Sequence, residues 1–323
     1  MKVFSFYRLF LLFLLGLASA RAGAEGSRVG DPTDWLILTI QSSQIMTYSG
    51  IYTFSHDGKT ETSRVMHMSD AEGQHGKLES LDGPPREIIR ENDHIACYLP
   101  ENHLVKLDRV EGRHFFPALL SGSPSQFREF YALTFVGVDR VAGRECRLIR
   151  LDPKDGYRYG YRFCADNQTG LLLKASMEDG SRGVLQQFAF TEFAADSALD
   201  IGKLKPSWSG AGWTWDRSGL AQDQELIWGI SNPPSGFHKV MELHRGAEGR
   251  SAPFIQMMFS DGLASVSVFI EPARMNSTAT SESRRGALSF YSTRVGDQQV
   301  TAIGEVPPAT VAQFVKSASM VKK

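Results

Sequence analysis

The chain has 323 residues, with 35 Lys and Arg against 36 Asp and Glu, a formal net charge of −1. That balance argues against a nucleic-acid binder, which needs a basic face to neutralise phosphates. The length exceeds the roughly 250 residues that one hydrophobic core usually serves, so two domains are expected.

Lys2 and Arg8 precede an apolar run from Leu9 to Leu17. Small-residue cleavage sites follow at Ala18-Ser19-Ala20 and Ala22-Gly23-Ala24. This is the pattern of a secretory signal peptide, expected to span residues 1–24. No later run reaches the roughly 18 apolar residues that begin to suggest a membrane span. A soluble periplasmic chain is therefore expected.

The first predicted element after the leader is a helix. Asp31 can cap it, Pro32 suits its first position, and Asp34 favours its first turn. Trp35, Leu36, Leu38, Ile40 and Ile45 offer an apolar face, and the helix is expected to end near Thr47–Gly50. From there to about Phe193 the sequence reads as β-strands separated by turns at Asp57-Gly58, Asn92-Asp93, Ala142-Gly143, Asp155-Gly156, Asn167–Gly170 and Asp179-Gly180. Strands this frequent without long helices between them predict an antiparallel meander. A capping box at Ser123-Pro124-Ser125-Gln126 marks one short helix within it. The fold class expected is α+β: a curved sheet with helices on one face, holding either packed side chains or a ligand cavity.

Periodicity fades between Leu204 and Gly219, and the first part of that stretch reads as a linker. A smaller α+β domain follows. Its predicted strands are Lys239–His244, Ile255–Phe259, Ala264–Glu271 and Leu288–Thr293, with Ser260-Asp261-Gly262 turning a hairpin. Pro307-Pro308 opens a last helix in which Val311, Phe314, Val315 and Ala318 share a face. Ser277–Ser283 reads as polar and irregular.

The cysteines are Cys97, Cys146 and Cys164. An exported protein permits disulfides. Cys146 and Cys164 flank a turn at Pro153-Lys154-Asp155-Gly156 almost symmetrically, and strand register alone decides whether their Cβ atoms meet. Cys97, in a predicted strand His94–Leu99, reads as a buried small hydrophobe.

Catalytic motifs are missing: no G-x-S-x-G, H-E-x-x-H, P-loop or G-x-G-x-x-G is present, and no cofactor is expected. His238, Glu242 and His244 would share one face of a strand, where a solvated surface is favoured over an incomplete metal site. Arg86, Arg90, Lys106, Arg109 and Arg113 form a basic stretch that could meet the phosphates of a lipid headgroup, or simply be a solvated sheet face. The tryptophans from Trp208 to Trp228 could anchor a partner or close an interdomain interface.

Three blocks carry a resemblance to a known family. They are Leu81-Asp82-Gly83-Pro84-Pro85-Arg86-Glu87-Ile88-Ile89-Arg90, Phe259-Ser260-Asp261-Gly262-Leu263, and Gly304-Glu305-Val306-Pro307-Pro308-Ala309-Thr310. With the strand Asp155 to Tyr161 and the length, their order resembles the RseB/MucB family of periplasmic sigma-factor regulators, nearest its MucB branch. The resemblance implies an N-terminal unclosed β-barrel of the LolA type with covering helices at 25–196, joined by a linker near residues 197–215 to a smaller C-terminal domain at 216–323. It implies binding of the periplasmic segment of an anti-sigma factor of the RseA/MucA type, shielding it from site-1 proteolysis. Lipopolysaccharide or a related acylated signal would release the complex, with alginate synthesis among the outputs. Ser260, Asp261 and Gly262 lie in the domain implied for partner contact, although a tight turn explains them equally well. Homo-oligomerisation is compatible with this reading. The rival readings are a periplasmic lipid carrier or chaperone and, less favoured, a Cys or His hydrolase.

Overall fold

The computed structural model describes residues 30–109, 124–195, 199–217, 228–245, 254–273 and 280–320. The expected signal peptide, Arg113 and Ser123 lie outside them. Helix α1 (Pro32–Ile45) starts as its sequence dictates, with Asp31 Oδ1 accepting from the Thr33 N–H at 2.9 Å. It stops before Met46, short of the expected end. Its inward face also differs from the expected stripe. Thr33, Leu36, Thr39, Ser42 and Ser43 are buried, whereas Leu38 and Ile45 are 39% and 69% exposed. Burying hydroxyls is tolerable because each finds a hydrogen-bond partner, Thr33 accepting from Arg128 Nε. Thr39 donates to Trp35 O (2.8 Å), Ser43 to Ile40 O (2.7 Å), and Ser42 reaches across to Thr169 O (2.6 Å).

Eleven strands follow α1 among the described residues: β1 (Tyr48–His56), β2 (Lys59–Asp70), β3 (Gly73–Ser80), β4 (Glu87–Glu91), β5 (His94–Leu99), β6 (Leu104–Arg109), β7 (Tyr131–Val141), β8 (Arg144–Pro153), β9 (Gly160–Asp166), β10 (Leu172–Asp179) and β11 (Gly183–Ala195). Helix α2 (Pro124–Phe130) precedes β7. The pairing order is β6-β5-β4-β3-β2-β1-β11-β10-β9-β8-β7, antiparallel throughout, with β7 left as an unpaired end. Helix α1 touches both β2 and β7, which are far apart in that order, so the sheet curls round the helix without closing. This is the unclosed barrel expected. Asp57-Gly58 and Ala142-Gly143 both adopt positive φ at consecutive residues, the I′ geometry that matches the twist of paired strands.

The inner face is aromatic. Tyr48, Tyr52, Phe188 and Phe190 pack there, with Tyr52 and Phe190 edge-to-face at 6.1 Å. Cys146 and Cys164 form a disulfide between β8 and β9. They sit diagonally, Cys146 opposite Asp166 and Leu148 opposite Cys164, and both are fully buried. Cys97 is a free thiol and only half-buried, a departure from the core position expected.

The segment after β11 is not a free tether. It crosses the outer face of the sheet toward the β6 edge. Leu199 and Leu204 pack on Met66 and Met68. Lys77, paired with Glu87 at 2.7 Å, donates to Lys205 O, and Glu87 accepts from Ser207 N at 2.8 Å. Trp208 and Trp213 then pack with Tyr98 and Val105, and β12 (Thr214–Asp216) adds to β6 in parallel. These tryptophans hold the strap to the sheet rather than closing an interface between lobes. Trp228 belongs to the second core.

That second lobe has a six-stranded antiparallel sheet made of β14 (His238–Arg245), β15 (Phe254–Ser260), β16 (Ser265–Pro272), β17 (Thr280–Arg285), β18 (Leu288–Val295) and β19 (Gln298–Gly304). Helix α3 (Pro308–Lys316) covers one face through Val311, Phe314 and Val315. A small pair, β13 (Trp228–Ile230) and β20 (Ala318–Met320), completes it, placing Ala318 beyond the helix. β17 falls where an irregular segment was expected. None of its six residues is buried, so backbone pairing to β18 makes the strand with no alternation in the sequence to reveal it. Residues Asp31–Lys323 form one compact unit.

Candidate functional site

Two sequence motifs meet where the lobes touch. The first follows β8. Asp155 Oδ1 accepts from Tyr157 N at 2.9 Å, an Asx turn that presents Arg158 to the second lobe. The second is the β15–β16 hairpin. Gly262 takes φ +96°, Ser260 Oγ accepts from its N–H at 3.0 Å, and Asp261 Oδ1 accepts from Leu263 N and Ala264 N at 2.9 and 2.7 Å. One oxygen of Asp261 is thus spent on its own turn. The other faces Arg158, whose Nε lies 3.4 Å away with both side chains fully buried.

The surroundings explain how a buried guanidinium is tolerated. Its Nη2 donates to Ser235 O, Asp155 lies 3.5 Å from Nε, and the rings of Phe130 and Phe237 stand 4.5 and 5.2 Å from its carbon. Tyr131 donates to Asp261 Oδ2 at 3.3 Å, and burial pushes its phenol well above the ordinary range. Thr310, in α3, donates to Tyr157 O at 2.7 Å. Ser260 and Asp261, expected as partner contacts, are both 2% exposed, and Asp261 faces the first lobe.

A second set of polar contacts joins the lobes elsewhere. Arg284 donates to Asp179 Oδ2 and to the Tyr159 hydroxyl, both at 2.7 Å, and Arg182 donates to Gly286 O. Arg285 pairs with Asp57 at 3.1 Å. The Arg284 bond, followed by donors from Ser181, holds the Asp179 carboxyl well below the usual range.

Between the lobes lies a cavity of about 480 Å³, within the size range of small-molecule sites. The first lobe contributes Phe54, Tyr161, Phe163 and Phe188 to its wall, and the second Met258, Leu263 and Ile303. Leu263 and Ala264, in that wall, lie in the same hairpin as Asp261, so an occupant would press directly on the joint.

The expected basic stretch is elsewhere. Arg90 is half-buried and committed to Gln74 Oε1 and Asn92 O. Arg86 and Lys106 are exposed and electrostatically near Cys97, whose thiol is nonetheless pushed up by burial. Arg109 lies at the end of β6 and is half-buried. None of these four lines the cavity, and β4 stands three strands from β1, about 14 Å at usual strand spacing. Nor do His238, Glu242 and His244 share a face. A bulge after Lys239 puts His238 opposite Ser260 and Glu242 opposite Met257, on opposite sides of the sheet. His244 instead contacts Glu242 at 2.8 Å. Among the described residues no group of three His, Cys, Asp or Glu is placed to hold a metal, and no helix is long and apolar enough to cross a membrane.

Comparison with known proteins matches the MucB/RseB N-terminal domain to residues 31–208 and the MucB/RseB C-terminal domain to residues 222–319. The chain belongs to the MucB/RseB family. The sigma factor AlgU regulatory protein MucB of Pseudomonas aeruginosa is 28% identical over 95% of this chain and 96% of its own length. The sigma-E factor regulatory protein RseB of Haemophilus influenzae is 25% identical over 93% and 94%. Among solved structures, the P. aeruginosa MucA/MucB complex matches with TM-score 0.74 at 26% identity, covering 91% of this chain and all of that one. A crystal structure of MucB gives 0.64 at 25% identity, over 90% of this chain and 98% of its own. In this chain the sequence blocks Asp155–Tyr161 and Phe259–Leu263 are the two sides of one interlobe joint.

Proposed function

We propose that this chain is a periplasmic regulator that binds the periplasmic segment of a membrane-anchored anti-sigma factor of the MucA/RseA type. The observation that carries the reading is full-length likeness, through both family domains, to a MucB solved in complex with MucA. In this reading residues 1–24 are the leader, 25–196 and 216–323 the two domains, and 197–215 the strap between them. Bound to the anti-sigma segment, the protein shields it from the first proteolytic cut. An acylated signal such as lipopolysaccharide releases it.

Release requires that signal and segment prefer different states, since a ligand binding both equally shifts nothing. The joint offers a two-state element of that kind: Asp261 and Arg158 are either paired or apart. Ser260, Asp261 and Gly262 act here by setting the angle of the lobes, so they influence the partner without touching it. The test is fluorescence anisotropy of a labelled anti-sigma periplasmic segment titrated with the mature chain, followed by protease digestion of the same mixture. Saturable binding with slowed cleavage supports the reading. A segment that stays free, or is cut equally fast when bound, removes it and favours a lipid carrier.

A further inference from the structure

Four residues stand in register across the inner face of β1 to β4. Tyr48 pairs with His67, His67 with Gly76, and Gly76 with Arg90, and direct antiparallel partners share a face. His67 is 1% exposed, beside the fully buried Tyr48. Its Nδ1 meets Met46 O at 2.7 Å, the carbonyl of the residue that caps the end of α1. A carbonyl only accepts, so Nδ1 carries the proton and Nε2 is the bare nitrogen. That Nε2 is buried with no hydrogen-bond partner in the protein. Each neighbouring element brings a group to the ring. α1 presents the Met46 carbonyl and β1 the Tyr48 ring at 5.4 Å, while β4 brings Arg90 and β3 brings His75, itself 3.5 Å from Asp70. Among the described residues no carboxylate lies within ion-pair reach of His67.

We propose that His67 is an acid-sensitive latch: neutral, it pins the end of α1 to β2, and protonated, it lets that end go. Protonation adds an N–H at Nε2 with nothing to accept it, and a positive charge in the same row as Arg90. Burial, above all, holds the imidazole below its ordinary value. The Met46 carbonyl pulls the other way without reversing this, and Arg90 and His75 reinforce burial. A base that is harder to protonate in the fold than in the unfolded chain makes stability fall with pH. The latch is therefore whole above about pH 6.5 and is lost as pH drops from there toward the folded value. Its release reaches beyond the barrel wall. α1 holds α2 through the pair of Asp31 with Arg128, and the Phe130 ring at the end of α2 lies 4.5 Å from the Arg158 guanidinium at the lobe joint. The device needs neither the acylated signal nor the anti-sigma segment.

Amide hydrogen exchange on the mature protein, each rate divided by the intrinsic rate at that pH, reads the latch directly. From pH 7 to pH 5 protection is expected to fall several-fold in the last turn of α1 and along β1 and β2, while β16 and β19 of the second lobe keep theirs. His67→Asn retains a donor for Met46 O and has no ring to titrate, so its protection should stay level over the same range. His67→Gln serves the same purpose if His67→Asn fails to fold. In the wild type, the imidazole Cε1 resonance that these variants lack should titrate below about 6.5. Level protection in the wild type overturns the proposal. So does a fall of equal size in the variants, a fall shared by both lobes, or a His67 ring that titrates at its ordinary value or above.

Discussion

Arg158 and Asp261 come from different lobes, and the Nε of one lies 3.4 Å from the Oδ2 of the other with both side chains out of solvent. Asp155, 3.5 Å from the same Nε and part-exposed, gives Arg158 a second carboxylate, but Asp261 has Arg158 as its counter-charge. Desolvation makes such a pair a weak source of net stability, yet breaking it is costly because the survivor is left as a buried unpaired charge.

Asp261→Ala is therefore expected to lower stability by about 3–5 kcal/mol, whereas the double replacement Arg158→Met, Asp261→Leu should recover much of that loss. Urea denaturation followed by tryptophan fluorescence measures both. A coupling energy below about 0.5 kcal/mol in the double-mutant cycle would show that the two side chains act independently.

The disulfide closes a sequence separation of 18 residues in the first lobe. Replacing both cysteines with serine, or reducing the bond, should cost roughly 3 kcal/mol, the usual value for a loop of that size. The check is the thermal midpoint with and without reductant, using the double serine variant as the control that reductant must not move. Cys97→Ser should leave the midpoint nearly unchanged.

Much of this was legible in the sequence, and the exceptions have physical reasons. Asp31-Pro32 announces α1 because capping is local chemistry, and Asp57-Gly58 and Ala142-Gly143 announce their hairpins because positive φ is local too. The inward face of α1 was misread because hydrophobicity guides such a reading. Ser42 turns inward for a bond to Thr169 O, and a Cβ at Gly170 would stand 2.4 Å from Leu38 Cγ, so Leu38 lies over a glycine at the barrel rim. β17 escaped notice because its pairing is a backbone matter. The motif residues Asp155–Arg158 and Ser260–Gly262 were visible separately, but their meeting is a long-range contact that spacing does not encode. The same holds for His238, which a single bulge moves to the opposite face from Glu242.

Ser42→Ala removes the donor to Thr169 O and is expected to destabilise by about 1 kcal/mol, whereas Ile45→Ser, at an exposed position, should change stability by less than about 0.5 kcal/mol. Chemical denaturation of the two variants side by side decides it. The opposite ranking would restore the apolar-stripe reading of α1.

Acid should weaken the molecule through two carboxylates. Burial alone would raise Asp166, but the fork of Arg144 (2.8 Å to each oxygen) and donors from Thr169 hold it below the ordinary value; Asp179 is also held low, first by Arg284. Groups depressed in the folded state contribute stability that is fully present above the unfolded pKa, near 3.9. That contribution is lost as pH falls through the folded values. Asp166→Asn and Asp179→Asn should thus be less stable than wild type at pH 7, with the gap closing toward pH 2. Urea midpoints measured from pH 7 to pH 2 test this, and a gap independent of pH would assign the loss to packing.

The measurement that bears most directly on the account is calorimetric titration of the mature chain with the periplasmic segment of its anti-sigma factor, run with and without lipid A. The account predicts tight binding that weakens as lipid is added, because segment and acyl signal select different arrangements of the two lobes. Lipid binding without any affinity for the segment, or segment binding that lipid leaves untouched, would contradict it.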